Sequence, residues 1–396
     1  MVRPLPMAYF RLRRNATQQQ ERMNMPQNTA LWLSSKRAPL TVGPAPYTPP
    51  RADEIVVRAR AVAVNPMDRL MRTIGDLITP WIRYPIVPGS DIAGEVAAVG
   101  SGVTRFRVGD RVLGLAVGSD KPRNNAAEGA FQTYCVLLAH MASPIPPTLS
   151  FEVASVLPLG LSTAACGLFQ QDFLALDHPS AAPRSTGKTV LIWGGSTSVG
   201  SNAIQLAVAA GYDVVTTASP RNFDYVGRLG ARQAFDYRSK TAIAEIIAAL
   251  RGRTLAGALA IGAGSTAACV DILGACAGNR FVAVATPAAS FDDVPAGRGR
   301  IWRLAPAVAR MLAANVALAI KARRKRVRTK FIWGSALLGN EVGPLIYERF
   351  LPAALAEARF VAAPEPLMAG HGLECIPAAL ERQRNGVSAR KLVVTL

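Results

Sequence analysis

At 396 residues, half of them apolar and 18% charged, the chain holds enough hydrophobic material for two or three domain-sized units, which excludes disorder over most of its length. Five scattered cysteines without a Cys-x-x-Cys pair exclude a disulfide scaffold and point to reduced thiols, hence to a cytoplasmic protein. The formal charge of +19 is localised: residues 1–27 carry net +4, residues 298–330 hold eleven Lys or Arg and no acid, and the other 336 residues carry only +4. Nucleic acid is not expected as a partner, because basic attachments without base-reading chemistry give only salt-sensitive attraction. No apolar run reaches the roughly 18–20 residues of a membrane span. The nearest, Leu304 to Ile320, is broken by Arg310 and Asn315.

In chain order, residues 1–27 show no clear periodicity and read as a flexible basic tail or as an Arg-rich targeting peptide without the apolar centre of a signal sequence. From Ala30 to about residue 150, short apolar stretches alternate with Pro and Gly, as in Glu54-Ile-Val-Val-Arg-Ala-Arg-Ala-Val-Ala-Val and Asp110-Arg-Val-Leu-Gly-Leu. That rhythm predicts closely spaced strands in a β-rich unit. After residue 151 the period changes. Thr189-Val-Leu-Ile-Trp is a buried-strand run, Asn202 to Ala210 is helical, Asp213-Val-Val-Thr-Thr-Ala is a second strand, and Phe223 to Leu229 is a second helix. Alternating strands and helices predict a parallel sheet covered on both faces. The closing Lys391-Leu-Val-Val-Thr-Leu reads as a strand, and His371, between two glycines, as a loop residue.

The turn Gly194-Gly-Ser-Thr-Ser-Val-Gly200 follows one of these strands and opens a helix. Backbone N–H groups there bind anions, and glycines let a diphosphate approach the main chain. Gly195 and Gly200 fill the outer positions of a GxGxxG fingerprint, with Thr197 in the middle one. An NAD site normally places Asp or Glu at the end of the next strand, on the ribose 2′-hydroxyl. Here the sequence reads Thr217-Ala-Ser-Pro-Arg-Asn222. Ser219 and Arg221 suit a 2′-phosphate that a carboxylate would repel, so the expected cofactor is NADPH. The plainer reading is a turn with an exposed arginine.

These segments resemble the medium-chain dehydrogenase/reductase family, and within it the zinc-free enoyl reductases that fungi use in trans with polyketide synthases. The resemblance covers about residues 28–300 and 327–396. It rests on Val64-Asn-Pro-Met-Asp68, Val87-Pro-Gly-Ser-Asp-Ile-Ala-Gly94, Gly109-Asp-Arg-Val, Leu159-Gly-Leu-Ser-Thr-Ala-Ala, Trp193 to Gly200, Ser219-Pro-Arg-Asn-Phe-Asp-Tyr225 and Asn340-Glu-Val-Gly. It implies an α/β protein in which a GroES-like, β-rich catalytic domain (28–163 and 331–396) encloses a doubly wound Rossmann domain (164–330), with the active site in the cleft between them. The cofactor contacts it implies are Asn65, Pro66, Met67, Asp68, Ser196, Thr197, Ser198, Val199, Ser219, Pro220, Arg221, Asn222, Tyr237, Val387 and Ser388. The substrate contacts it implies are Thr163, Phe331, Ile332, Trp333, Gly334 and Ser335.

Asn65 stands where the zinc branch of that family has a cysteine, and Ser90-Asp91 where it has a His-Glu pair. With three unclustered histidines, no metal site is expected. Hydride addition to an electron-poor double bond is then the natural chemistry. Asn65 is a weak candidate for holding the developing enolate oxygen, and Tyr84 and Tyr134 are phenols better read as packing. Residues 301–326 depart from the family pattern. Ile301 to Ile320 reads as a helix followed by a basic run, either a solvated surface or a docking face for an acidic partner such as an acyl carrier protein, with a membrane surface, nucleic acid and a nuclear-import signal as the remaining readings. The expected activity is NADPH-dependent reduction of an α,β-unsaturated acyl or carbonyl compound by a monomer or homodimer. The alternatives are a quinone or enone reductase, and a binding protein that has lost turnover.

Overall fold

The structure, a computed structural model, describes residues 26–287, 290–291, 293–295 and 297–396. The expected tail falls outside the described residues except for Pro26 and Gln27. A hairpin of β1 (Asn28–Leu33) and β2 (Leu40–Ala45) packs on a first large sheet. That sheet contains β3 (Glu54–Ala63), β4 (Asp91–Val99), β5 (Arg111–Leu115), β6 (Tyr134–Leu138) and β7 (Ala142–Pro144). From the far end of the chain it takes β15 (Glu365–His371) and β16 (Arg390–Thr395), in the order β15-β16-β3-β4-β5-β7 with β6 on β3. Helix α1 (Pro66–Ile78) follows β3. Its start is set locally, with Asn65 in an extended conformation and Pro66 at the first helical position, where the missing N–H costs no hydrogen bond.

The second sheet is parallel throughout: β8 (Lys188–Trp193), β9 (Asp213–Ala218), β10 (Gln233–Asp236), β11 (Thr254–Ala260), β12 (Ala277–Gly278), β13 (Phe281–Val284) and β14 (Arg328–Phe331). Its path β10-β9-β8-β11-β13-β14 is the doubly wound order, with the sequence reversing direction beside β8. Strands covered on both faces lose polar alternation, and every residue of β8 after Lys188 is buried.

Helix α2 (Pro158–Phe169) lies between the sheets and runs across position 163/164. The core cluster around it takes Ala61 and Leu113 from the first sheet and Val190 and Ile192 from the second. Helices α3 (Ser198–Ala209) and α4 (Ser265–Ala275) cover the parallel sheet. Helix α5 (Arg300–Lys325) joins β13 to β14, five residues longer at its C-terminus than its apolar periodicity indicates. The extension is held because Ala322 is buried and Lys321 and Lys325 both reach Asp271 of α4, at 2.6 and 3.3 Å. At its other end α5 meets the first domain. Leu304, Val308 and Met311 pack with Leu70, Ile74 and Ile78 of α1, and Arg300 pairs with Asp76 at 2.6 Å. Helix α6 (Ile376–Arg384) connects β15 to β16. His371 is not a loop residue: beyond a register shift at Met368/Gly370 it ends β15, opposite Thr395.

Candidate active site

The turn after β8 closes as tightly as glycine allows. A Cβ on Gly200 would lie 2.2 Å from the Gly194 carbonyl oxygen, and one on Gly195 would lie 2.2 Å from Thr216 Oγ1. Thr197 caps α3, its hydroxyl accepting from the Gly200 N–H at 3.0 Å and donating to the Gly194 carbonyl at 2.8 Å. Ser196 and Thr197 form the open lip, Ser198 and Val199 begin the helix, and the Ser198 hydroxyl is buried without a hydrogen-bond partner. A close-approach cradle, free helix N–H groups and an unpartnered hydroxyl suit a dinucleotide diphosphate. β9 ends at Ala218, next to a buried Ser219. Pro220 starts a single turn through Asn222, and Arg221 is exposed. Asn222 reaches the other domain, donating from Nδ2 to Ser388 Oγ at 3.1 Å beside a half-buried Val387. Tyr237, just past β10, is exposed, with the Arg238 guanidinium 5.3 Å above its ring.

Deeper in the cleft, Asp91 at the start of β4 is fully buried where four elements meet. Its Oδ2 accepts from Asn65 Nδ2 at 2.7 Å and from Lys391 Nζ at 2.5 Å. Its Oδ1 accepts from the Leu159 N–H at 2.6 Å, in the first turn of α2, where a carboxylate also meets the positive end of the helix. Lys391, 4% exposed, gives a further N–H to the Val156 carbonyl at 3.0 Å. Every charge here has partners, which is the condition for tolerating a buried ion pair. Asp68 accepts from the Asn65 backbone N–H at 2.8 Å. Burial pushes its carboxyl up to about 7; the Asp91 charge adds to the shift, and the Asn65 N–H and Lys391 oppose it. Pro66 is exposed and Met67 half-buried at the mouth of this pocket. Among the described residues no three His, Cys, Asp or Glu side chains converge on a metal position.

The stretch 331–335 splits. Phe331 is half exposed on the edge strand β14, and Ile332 is buried in the central core. Trp333, Gly334 and Ser335 turn toward the first domain. Trp333 Nε1 donates to Asp120 Oδ1 at 3.1 Å, and the Ser335 hydroxyl donates to the same oxygen. Gly334 crosses Thr163 so closely that a Cβ would lie 2.5 Å from its hydroxyl. Thr163 itself donates to the Leu159 carbonyl at 2.8 Å. Trp81 sets its ring edge-on to Trp333 at 5.9 Å and donates to the Ser119 carbonyl at 3.0 Å. Burial raises the Asp120 carboxyl, and hydrogen bonds from Ser335 and Trp333 oppose that shift.

Sequence reasoning missed Asp120, Trp81 and Lys391. Each acts through a partner far away in the chain and carries no motif; the one local signal was a lone acid in the Gly118-Ser-Asp120 turn. Tyr84 packs with the Met71, Ile82 and Ile86 cluster, and Tyr134 stands edge-on to Tyr47 at 5.4 Å.

Residues 51–147 match the alcohol dehydrogenase GroES-like domain. The dehydrogenase pigH of Monascus ruber is 50% identical over 374 residues, covering 94% of this chain and 100% of that protein. The trans-enoyl reductase himH of Aspergillus japonicus is 34% identical, covering 93% of this chain and 97% of that protein. An alcohol dehydrogenase superfamily protein from Novosphingobium aromaticivorans shares the fold, with a TM-score of 0.69 and 22% identity over 93% of this chain and 99% of that one. Two sheets joined through α2, a dinucleotide cradle and these relatives lead to one assignment: the chain belongs to the medium-chain dehydrogenase/reductase family, beside fungal dehydrogenases and trans-enoyl reductases, and is an oxidoreductase built for a nicotinamide cofactor.

Proposed function

We propose that the chain is an NADPH-dependent reductase of the carbon–carbon double bond in an α,β-unsaturated acyl or carbonyl substrate, acting without zinc. The observation that carries the cofactor choice is the end of β9, where a buried Ser219 and an exposed Arg221 stand without a carboxylate. A guanidinium and a hydroxyl hold a 2′-phosphate through charge-assisted bonds. The backbone of residues 195–200 would hold the diphosphate, and residues 65–68 the nicotinamide end. The bound cofactor supplies a hydride. The trans-enoyl reductase name of himH supports an acyl chain presented on a carrier by a polyketide synthase as the substrate.

The chain's own residues supply orientation and charge. One N–H of the Asn65 amide is fixed on Asp91, and Asp91 is itself fixed by Lys391 and the Leu159 N–H. The second amide N–H is thereby aimed as a preorganised donor for an enolate oxygen, an arrangement that needs no reorganisation during reaction. The Asp91 carboxylate already holds an ammonium where a metal ion would need it, and neither Asn65 nor Lys391 is a zinc ligand, so the donor set does not fit zinc. Protonation at Cα comes from water in this reading.

Fluorescence titration tests the cofactor. NADPH should bind at least about tenfold more tightly than NADH, and Arg221→Ser should remove about 10–100-fold of NADPH affinity while leaving NADH unchanged. Equal affinities would defeat the reading. A quinone or enone ring is the second substrate class, favoured by the Trp81–Trp333 wall beside Asp120. Oxidation of NADPH with an enoyl thioester and with a quinone separates the two, and binding without turnover of either would leave a binding protein.

A further inference from the structure

We propose that the outer face of α5 is a docking surface for an anionic lipid bilayer, an inference independent of the reaction assigned above. Its inner face is accounted for by α1 and by Leu318 and Ala322 on the nucleotide-domain core. Its outer face is not. At about 100° per residue, Ile301, Trp302, Leu312, Val316 and Ile320 fall on one side, with only alanines between them, over about 30 Å of helix. Trp302 is 85% exposed, Ile301 73%, Val316 60%, Leu312 58% and Ile320 50%. A continuous apolar stripe on a surface otherwise covered by polar groups marks an interaction site.

The charge around the stripe selects the partner. Residues 298–330 contain eleven cations and no acid, and of these Arg300, Lys321, Lys325 and Lys330 are held by Asp76, Asp271 and Asp172. Arg303 and Arg310 lie along the border of the stripe, Arg298 at one end, and Arg323, Arg324 and Arg326 at the other. Tryptophan and aliphatic side chains edged by arginine suit the boundary between acyl chains and anionic headgroups. A second copy of this chain is disfavoured, because both ends of the helix are basic and either two-fold pairing sets like charge on like. An acidic protein would meet apolar side chains at the centre of the face. The helix rests on the bilayer and does not cross it, since one side is packed on the protein and five arginines and two lysines lie within its length.

The test is sedimentation of the full chain with vesicles of phosphatidylcholine alone and of phosphatidylcholine with phosphatidylserine. Binding should be at least about tenfold stronger to the anionic vesicles and should weaken as salt rises. Leu312→Glu with Val316→Glu should abolish it, and Arg323→Ser with Arg324→Ser should lower it about tenfold. NADPH affinity and thermal melting should stay at wild-type values in both variants. The arginine pair keeps the test decisive if the glutamate pair misfolds. No binding, equal binding to both vesicle types, or unchanged binding in the arginine variant would overturn the proposal. So would a dimer seen by light scattering that the glutamate pair dissolves, since a second copy would then own the face.

Discussion

Two helical stretches of this chain, Phe151–Phe169 and Arg300–Lys325, each contain an 18-residue segment with a mean hydropathy of 1.4, yet 72% of the first segment is buried and 6% of the second. Each is long and apolar enough to cross a membrane by length and composition. The difference lies in what neighbours can approach and in how the ends are held. α2 carries Gly160 and Gly167, against which Ser198 and Ile332 press directly, and its first turn is capped by the buried Asp91. α5 is preceded by Gly299, in a left-handed conformation that supplies no side-chain cap, and its outward alanines present no groove to another element. Total apolarity thus says little about burial. Small residues facing a neighbour and a polar anchor at the helix end say more.

The largest test of that contrast is Lys391→Met. It leaves Asp91 charged, buried and without its ammonium, so about 3–5 kcal/mol of stability should be lost in a urea titration. Adding Asp91→Asn should recover part of it, and a loss under about 1 kcal/mol would show that the anchor is dispensable. Gly160→Leu comes next. A Cβ there already lies 2.4 Å from Ser198 Oγ, and overpacking should cost about 3 kcal/mol.

A smaller, pH-dependent effect belongs to Asp68. Its carboxyl is raised from 3.8 to about 7 by burial, so the folded state holds a proton that the unfolded chain releases. The stability it contributes is complete below about pH 4 and disappears as pH rises through about 7. Thermal melts at pH 5 and pH 8 should show this decline in the wild type and a flatter profile in Asp68→Asn, and parallel profiles would remove Asp68 as the cause. The smallest effect is expected on the exposed helix, where Leu312→Ser should change stability by less than about 0.5 kcal/mol.

Local chemistry was legible from the residues themselves. The strand before Gly194, the glycine turn and the acid-free end of β9 each announce themselves within a few positions. The Asp91 anchor was not legible, because Asn65, Asp91, Leu159 and Lys391 span most of the chain and meet only once its two ends come together at the first sheet. Asp120 escaped for the same reason, its partners Trp333 and Ser335 lying more than 200 residues away. α5 was legible as a helix but not as a bridge, since Asp76 and Asp271 carry no signal that one element will bind both.

That bridge is asymmetric. At its C-terminal end α5 passes within two residues into β14, and two lysines share Asp271; at its N-terminal end a single guanidinium holds Asp76 and the Thr73 carbonyl. The nucleotide domain thus holds α5 by the chain connection and two lysines, and the first domain holds it by that guanidinium and the apolar contact with Leu70, Ile74 and Ile78. Whatever rests on its outer face therefore meets an element anchored in both domains at once.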